Sequence, residues 1–178
     1  MSNYKTVFFI LGILQIILGI FMSVPMIVQL LYGEFDSSFI ISSIITLVFG
    51  TLFLISNLDY EKKIDLHQAF LITSLSWITV AIFGALPFFF SNLNLTFTDA
   101  FFESMSGITT TGSTIIINLE NAPKGILIWR AILQWLGGIG IIVMAITLMP
   151  IMNVGGMQLF KISTSDKSEK ILPKSKEI

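Results

Sequence analysis

A chain of 178 residues that is 54% hydrophobic and only 12% charged differs from an average soluble domain, about a quarter of which is charged. This composition predicts an integral membrane protein, and a formal net charge of -1 offers no basic surface, so nucleic acid is not expected as a partner. The chain has no cysteine and a single histidine, His67, which excludes disulfide bonds, thiolate chemistry and a histidine metal cluster.

Four apolar stretches are each long enough to cross a bilayer, which takes about 20 helical residues. They cover residues 6–32, 38–57, 66–90 and 125–152. We therefore predict an all-α integral membrane protein with four transmembrane helices. The first stretch is about twice as long as the apolar core of a signal peptide and no small-residue cleavage site follows it, so we expect it to be retained.

Most basic residues lie at the ends of these stretches that share one side of the membrane. Lys5 precedes the first span, and Lys62 and Lys63 separate the second from the third. Five more lysines follow the fourth span: Lys161, Lys167, Lys170, Lys174 and Lys176. Because cytoplasmic loops collect Lys and Arg, we expect both termini to be cytoplasmic.

A short apolar segment at residues 98–108 lies on the opposite, outer side, between the third and fourth spans. It amounts to about three helical turns, too short to cross, so we predict a re-entrant pore helix that enters the membrane and returns. Thr98 or Asp99 can cap its first turn by accepting a hydrogen bond from a backbone amide. Its C-terminal end, the negative end of the helix dipole, would point inward toward a cation.

Residues 109–114 continue from this helix as a loop of threonine, glycine and serine. A cation that sheds its hydration shell needs a ring of oxygens in its place. The backbone carbonyls that could supply one quadrant of such a ring are those of Thr110, Thr111, Gly112 and Ser113. Gly112 permits backbone torsions that other residues resist, and the hydroxyls of Thr109 and Thr114 can support the loop. An ordinary outer loop with turn chemistry is the alternative that these residues leave open.

Besides the cap candidate Asp99, two charged residues fall within the predicted membrane segments. Glu103 lies in the re-entrant helix, where it could draw cations or pair with Arg130, and we favour the pairing. Arg130 lies near the outer end of the fourth span, where such a residue usually snorkels to the interface; a packing role behind the filter is the alternative. Its neighbour Trp129 suits an interfacial anchor. Packing against another helix, rather than a gating hinge, is expected of Gly137, Gly138 and Gly140.

Three segments carry a specific resemblance: residues 99–114, residues 129–140 and residues 155–160, which read Gly-Gly-Met-Gln-Leu-Phe. On these segments the chain closely resembles the TrkH/KtrB family of potassium uptake membrane subunits. The resemblance implies a pore made of four repeats, each a span, a pore helix and a span, with one key glycine per filter, here Gly112. It also implies three parts of this chain: an extra N-terminal helix pair at 1–64, the first repeat at 65–160, and a cytoplasmic loop or tail at 161–178.

The same resemblance implies that potassium is the transported substrate, held at the filter carbonyls, and that no cofactor is bound covalently. It places the chain in the bacterial cytoplasmic (inner) membrane, with the lipid bilayer around it. The implied protein partners are a second copy, as in the full-length homodimer, and a cytoplasmic nucleotide-binding regulatory subunit similar to TrkA or KtrA. Since one filter quadrant of four is visible, we expect a fragment, a truncated reading frame or a split gene. A pore would then need four copies or further repeats from another chain.

Two other classes of function compete with transport. An intramembrane enzyme is disfavoured because the sequence has neither a Gly-x-Ser-x-Gly elbow nor a His-Glu-x-x-His helix, and Glu103 is its only carboxylate at membrane depth. A non-conducting membrane scaffold or assembly subunit, derived from a transporter, is the second alternative. We therefore predict potassium transport and no enzyme activity.

Overall fold

The computed structural model describes residues 4–60 and 64–152, and this part of the chain is helical throughout, apart from its turns and loops. Six α-helices follow one another as α1 (Lys5–Phe21), α2 (Ser23–Tyr32), α3 (Ser38–Ser56), α4 (Leu66–Phe90), α5 (Phe97–Ile108) and α6 (Lys124–Met152), with a single 3-10 turn at Leu119–Asn121. Residues up to Ile142 belong to one compact unit. Val143 begins a second, of which the structure describes the last turns of α6.

Within the described ranges, four helical segments are long and apolar enough to cross a membrane: Lys5–Tyr32, Ser38–Ser56, His67–Phe90 and Lys124–Ile146. The twelve-residue α5 lies between the third and the fourth. The predicted all-α architecture, with four spans and one short helix, is therefore confirmed. Lys62, Lys63, the segment 155–160 and the predicted tail at 161–178 lie outside the described residues.

The first span is broken into α1 and α2 at Met22, as expected from Pro25, which the sequence predicts to kink or end its span. Pro25 explains the break, because it has no amide hydrogen to donate to the carbonyl of Phe21 and its ring crowds that carbonyl. Near the break, the Ser43 hydroxyl of α3 donates a hydrogen bond of 2.8 Å to the Gly19 carbonyl. The neighbouring helix α3 thus supplies a hydrogen-bond donor to a backbone carbonyl of a buried residue.

One buried core joins the N-terminal helices to the later ones. Its members come from every α-helix except α2: Leu18, Phe39, Ala85, Phe88, Ala100, Ile126, Trp129 and Leu133. Trp129 is fully buried, its ring meets that of Phe39 edge-on with the centroids 6.2 Å apart, and its Nε1 donates to the Gly84 carbonyl at 2.9 Å. The expectation of an interfacial anchor at Trp129 was therefore wrong, because the indole N–H finds its partner inside the bundle.

Candidate functional site

The short helix α5 begins with a capping box that sets where it starts. The Thr96 hydroxyl oxygen accepts from the Asp99 amide at 3.2 Å, and Asp99 Oδ2 accepts from the Thr96 amide at 3.1 Å. The prediction of Thr98 or Asp99 as the cap was wrong, and the helix starts one residue earlier, at Phe97. The reason is local: in a Thr-x-x-acid pattern the threonine is the cap and the acid is the third helical residue.

We expect Thr96→Ala to destabilise the protein by about 1 kcal/mol, the usual cost of losing a threonine cap. Thr98→Ala is the matched control, since Thr98 is exposed in the first turn of the same helix. Thermal unfolding in detergent should show a lower midpoint for Thr96→Ala than for Thr98→Ala. Equal midpoints for the two variants would contradict the assignment of the cap.

The chain reverses direction directly after α5. The Ser106 carbonyl accepts hydrogen bonds from the amides of Thr111, at 3.0 Å, and Gly112, at 3.3 Å. Thr110 has φ +58° and Gly112 has φ +78°, so two residues in this turn adopt the left-handed conformation. That conformation costs little for glycine but of order 1–2 kcal/mol for a residue with a Cβ. The turn is thus held by hydrogen bonds at the C-terminal, negative end of the α5 dipole.

The predicted filter residues form an exposed loop, and all six residues from 109 to 114 are accessible. Among the described residues, no protein donor contacts the carbonyls of Thr110 and Thr111. The Ser113 carbonyl is different, because it accepts from the Ser106 hydroxyl at 2.6 Å and so faces α5. Thr109 Oγ1 lies 2.9 Å from Thr111 Oγ1, so these two hydroxyls form a hydrogen bond within the loop. Within the described part of the chain, the loop therefore presents the carbonyl oxygens of Thr110 and Thr111 without a protein donor.

The Glu103 side chain connects α5 to the last residue of the loop 109–114 and to the residue that follows it. Its side chain is fully buried, and Oε1 accepts from both the Thr114 hydroxyl and the Ile115 amide, each at 2.6 Å. Thr114 Oγ1 in turn accepts from the Ile116 amide at 3.1 Å. The structure places Glu103 behind the loop rather than at an open vestibule.

Arg130 reaches the same place from α6. It is 6% exposed, and its Nε lies 3.3 Å from Glu103 Oε2, so the favoured pairing is present. The N–H is not aligned with that oxygen, which makes the contact an ion pair rather than a hydrogen bond. Nη2 also lies 3.5 Å from the carbonyls of Gly112 and Ser113. The snorkelling expectation for Arg130 was wrong, because the nearby carboxylate compensates its charge in the interior.

The end of α5 rests directly on α6 at Gly137. A Cβ built at Gly137 would overlap the Ile108 carbonyl, so only glycine fits against the last turn of the short helix. Gly138 and Gly140 have nothing within 4 Å of an added Cβ among the described residues. The predicted packing role is therefore confirmed at Gly137, whereas those two neighbours face open space in the described part of the chain.

Two contributors to this site were absent from the sequence-based prediction. Thr96 carried a recognisable signal, the Thr-x-x-Asp pattern. Ser106 carried none, since its bond to the Ser113 carbonyl joins residues seven positions apart across a turn. No cluster of three His, Cys, Asp or Glu side chains that could hold a metal occurs in the described ranges.

Comparisons with known proteins find relatives of this chain. A family model described as TrkH, cation transport protein, matches residues 36–178. The chain is 42% identical over 167 residues to the Trk system potassium uptake protein TrkI of Halomonas elongata, covering 93% of this chain and 34% of the relative. It is 40% identical over 161 residues to TrkH of Escherichia coli, covering 89% of this chain and 33% of the relative.

A solved structure shows the same fold. The crystal structure of the potassium transporter TrkH from Vibrio parahaemolyticus matches with a TM-score of 0.81 and 35% identity, over 96% of this chain and 37% of that one. The chain thus spans about a third of the length of the curated relatives it matches, with shares of 34% and 33% for the two named above.

Proposed function

The chain belongs to the TrkH family of cation transport proteins, and we propose that its α5 and the loop 109–114 form one wall of a potassium pathway. The observation that carries the proposal is the turn at Thr110 and Gly112, which leaves carbonyls without protein donors at the negative end of a short helix between two spans. Irregular backbone at membrane depth is tolerated where it is buried or lines a watery cavity. A row of carbonyls that replaces the hydration shell of a cation suits such a cavity.

One loop supplies only part of the oxygen ring that a dehydrated cation requires. The remaining quadrants come from further pore repeats, whether in a longer chain or in other copies of this one. In this proposal residues 65–160 are one span, pore helix and span repeat, and residues 1–64 are an additional helix pair. The Glu103 and Arg130 side chains lie behind the loop as a neutral pair that keeps its carbonyls in place.

The proposal extends to orientation and partners. We place the chain in a bacterial cytoplasmic membrane, as its homology to the Escherichia coli relative suggests, and the lysines at the ends of the spans favour both termini in the cytoplasm. The relatives are named as parts of a Trk system. A nucleotide-binding regulatory subunit similar to TrkA on the cytoplasmic face, and a second copy in a homodimer, are the partners that we propose on that basis.

Growth of a potassium-uptake-deficient bacterium in low potassium tests the function. The chain is expressed alone and as a chimera, in which it replaces the matching third of the Escherichia coli relative. In whichever of the two forms rescues growth, we expect Gly112→Asp to abolish rescue, because it adds strain at φ +78° and a carboxylate beside the carbonyls. Asn118→Asp is the matched control: it adds the same charge to the same outer segment, at another position of positive φ.

Three outcomes are informative. Rescue that survives Gly112→Asp would contradict a filter at this loop. Rescue by the chain alone, lost with Gly112→Asp, would mean that copies of it assemble into a pore. The second candidate function, a non-conducting scaffold, is favoured by the single filter loop in the described residues. It would gain support if neither form rescued growth while both were present in the membrane.

A further inference from the structure

The loop after α2 reaches across to the start of α6, ninety positions later in the chain. The helix α2 ends at Gly33, with φ +71°, and the Glu34 amide donates to the Gln29 carbonyl at 2.9 Å. This is a Schellman motif, a common helix ending in which a left-handed glycine follows the last turn and the amide of the next residue donates to a carbonyl of that turn. From there Glu34 Oε2 accepts a hydrogen bond of 2.8 Å from the Lys124 amide.

That amide has no acceptor within its own helix. Lys124 is the first residue of α6, and the amides of a first turn have no carbonyl within their own helix. The Pro123 carbonyl already accepts from Ile126 and Leu127, so the helix has its first internal bonds but needs an outside acceptor at Lys124. A carboxylate is the favoured acceptor at the positive end of a helix dipole.

A second contact joins the same two helix ends. Gln29 is 2% exposed and packs on Gly125, where an added Cβ would lie 2.6 Å from Gln29 Cγ. The outer end of α6 is therefore held from α2 by a backbone-to-carboxylate hydrogen bond and by a close side-chain contact. Because both involve the first two residues of α6, together they restrain its position as well as its start.

The helix α6 carries the parts that support the loop 109–114. Arg130 lies close to two of its carbonyls and Gly137 receives the end of α5. We propose that Glu34 is a positioning residue of the pore, because it links the N-terminal helix pair to α6 and so holds α6 against the filter loop 109–114. The two contacts of this link, Glu34 with Lys124 and Gln29 with Gly125, are called the strut below. The consequence for transport rests on the proposed function, whereas the strut itself is a property of this chain alone.

The rate of disulfide cross-linking tests the strut in an experiment that does not depend on transport. The chain has no cysteine of its own, so Gln29→Cys with Gly125→Cys creates a single possible pair within one chain, which runs as a monomer when cross-linked. The 2.6 Å contact brings a Cβ at 125 near the position of a sulfur at 29, which suits a disulfide. The rate of disulfide formation in membranes is compared with Glu34 unchanged, with Glu34→Ala and with Glu34→Gln. Glu120→Ala is the matched control, since Glu120 is an exposed carboxylate of the same outer segment.

We expect Glu34→Ala to slow cross-linking about fivefold. Losing one helix cap lowers the population of the conformation that brings residues 29 and 125 together by about this factor. Glu34→Gln keeps an oxygen acceptor and should restore most of the rate, which a general packing defect would not do. Glu120→Ala should match the unchanged chain. Equal rates for Glu34→Ala and Glu120→Ala would overturn the strut.

The consequence for transport is tested by rubidium uptake through the chimera with the Escherichia coli relative, with every variant present in the membrane in the same amount. We expect about a fivefold lower uptake with Glu34→Ala and recovery with Glu34→Gln, in parallel with the cross-linking. Slower cross-linking with unchanged uptake would overturn the positioning role. If the chimera with Glu34 intact took up no rubidium, the proposed function would fail while cross-linking still decided the strut.

Discussion

Gly137→Ala is expected to abolish most rubidium uptake by the chimera, even though it adds one methyl group. The Cβ of alanine would overlap the Ile108 carbonyl, which is backbone at the end of α5 and cannot rotate away. Either α5 or α6 must shift, and overpacking of this kind costs about 1–3 kcal/mol. The shift falls on the last residue of the short helix, one position before the filter loop. Uptake should drop by about fivefold to a hundredfold if that energy opposes the functional geometry.

Gly138→Ala is the control that separates this contact from a general effect of glycine replacement on α6. It makes the same change one residue later, where the described part of the chain has nothing within 4 Å of the added Cβ. We expect uptake and membrane levels for Gly138→Ala to stay near those of the unchanged chimera. Comparable losses in the two variants would argue against the Ile108 contact as the cause.

Breaking the pair formed by Glu103 and Arg130 is expected to have the second large effect. Glu103→Gln retains an acceptor for Thr114 and Ile115 but leaves the buried guanidinium without its countercharge. Removing one partner of a buried ion pair typically costs about 3–5 kcal/mol. The uncompensated charge lies 3.5 Å from the carbonyls of Gly112 and Ser113, so it should also repel a cation there. We therefore expect a raised KM for rubidium together with a lower unfolding midpoint.

A double-mutant cycle shows whether the two side chains act together. Arg130→Gln alone leaves a buried carboxylate, whereas Glu103→Gln combined with Arg130→Gln removes both charges. We expect the double variant to lose less stability than the sum of the two single losses, by about 1–3 kcal/mol, as residues in direct contact do. The measurement is thermal unfolding in detergent, with rubidium uptake recorded in parallel. Additive losses would show that the 3.3 Å contact contributes no coupling.

Several local features could be predicted from the sequence, because they depend on neighbouring residues. The third span was predicted at 66–90 and is observed at Leu66–Phe90, since a run of apolar residues long enough to cross a bilayer is itself the signal. The short helix was predicted to within one residue at its start. Its cap was misplaced although the Thr-x-x-Asp pattern was present. These errors concern boundaries rather than the existence of an element.

The composition and the apolar stretches of this chain were sufficient to predict a four-span membrane protein with a short helix before a threonine-rich loop. They could not place Trp129 or Glu34, each of which lies near a helix end where sequence favours the interface or solvent, and for Arg130 they left snorkelling open beside the pairing with Glu103. Trp129 and Arg130 are buried because partners on α4 and α5 satisfy the indole N–H and the guanidinium charge. Glu34 reaches α6 only because the chain folds back between residues ninety positions apart. Hydrophobic length is a local property of a sequence, whereas the partner of a polar group depends on which helices pack together.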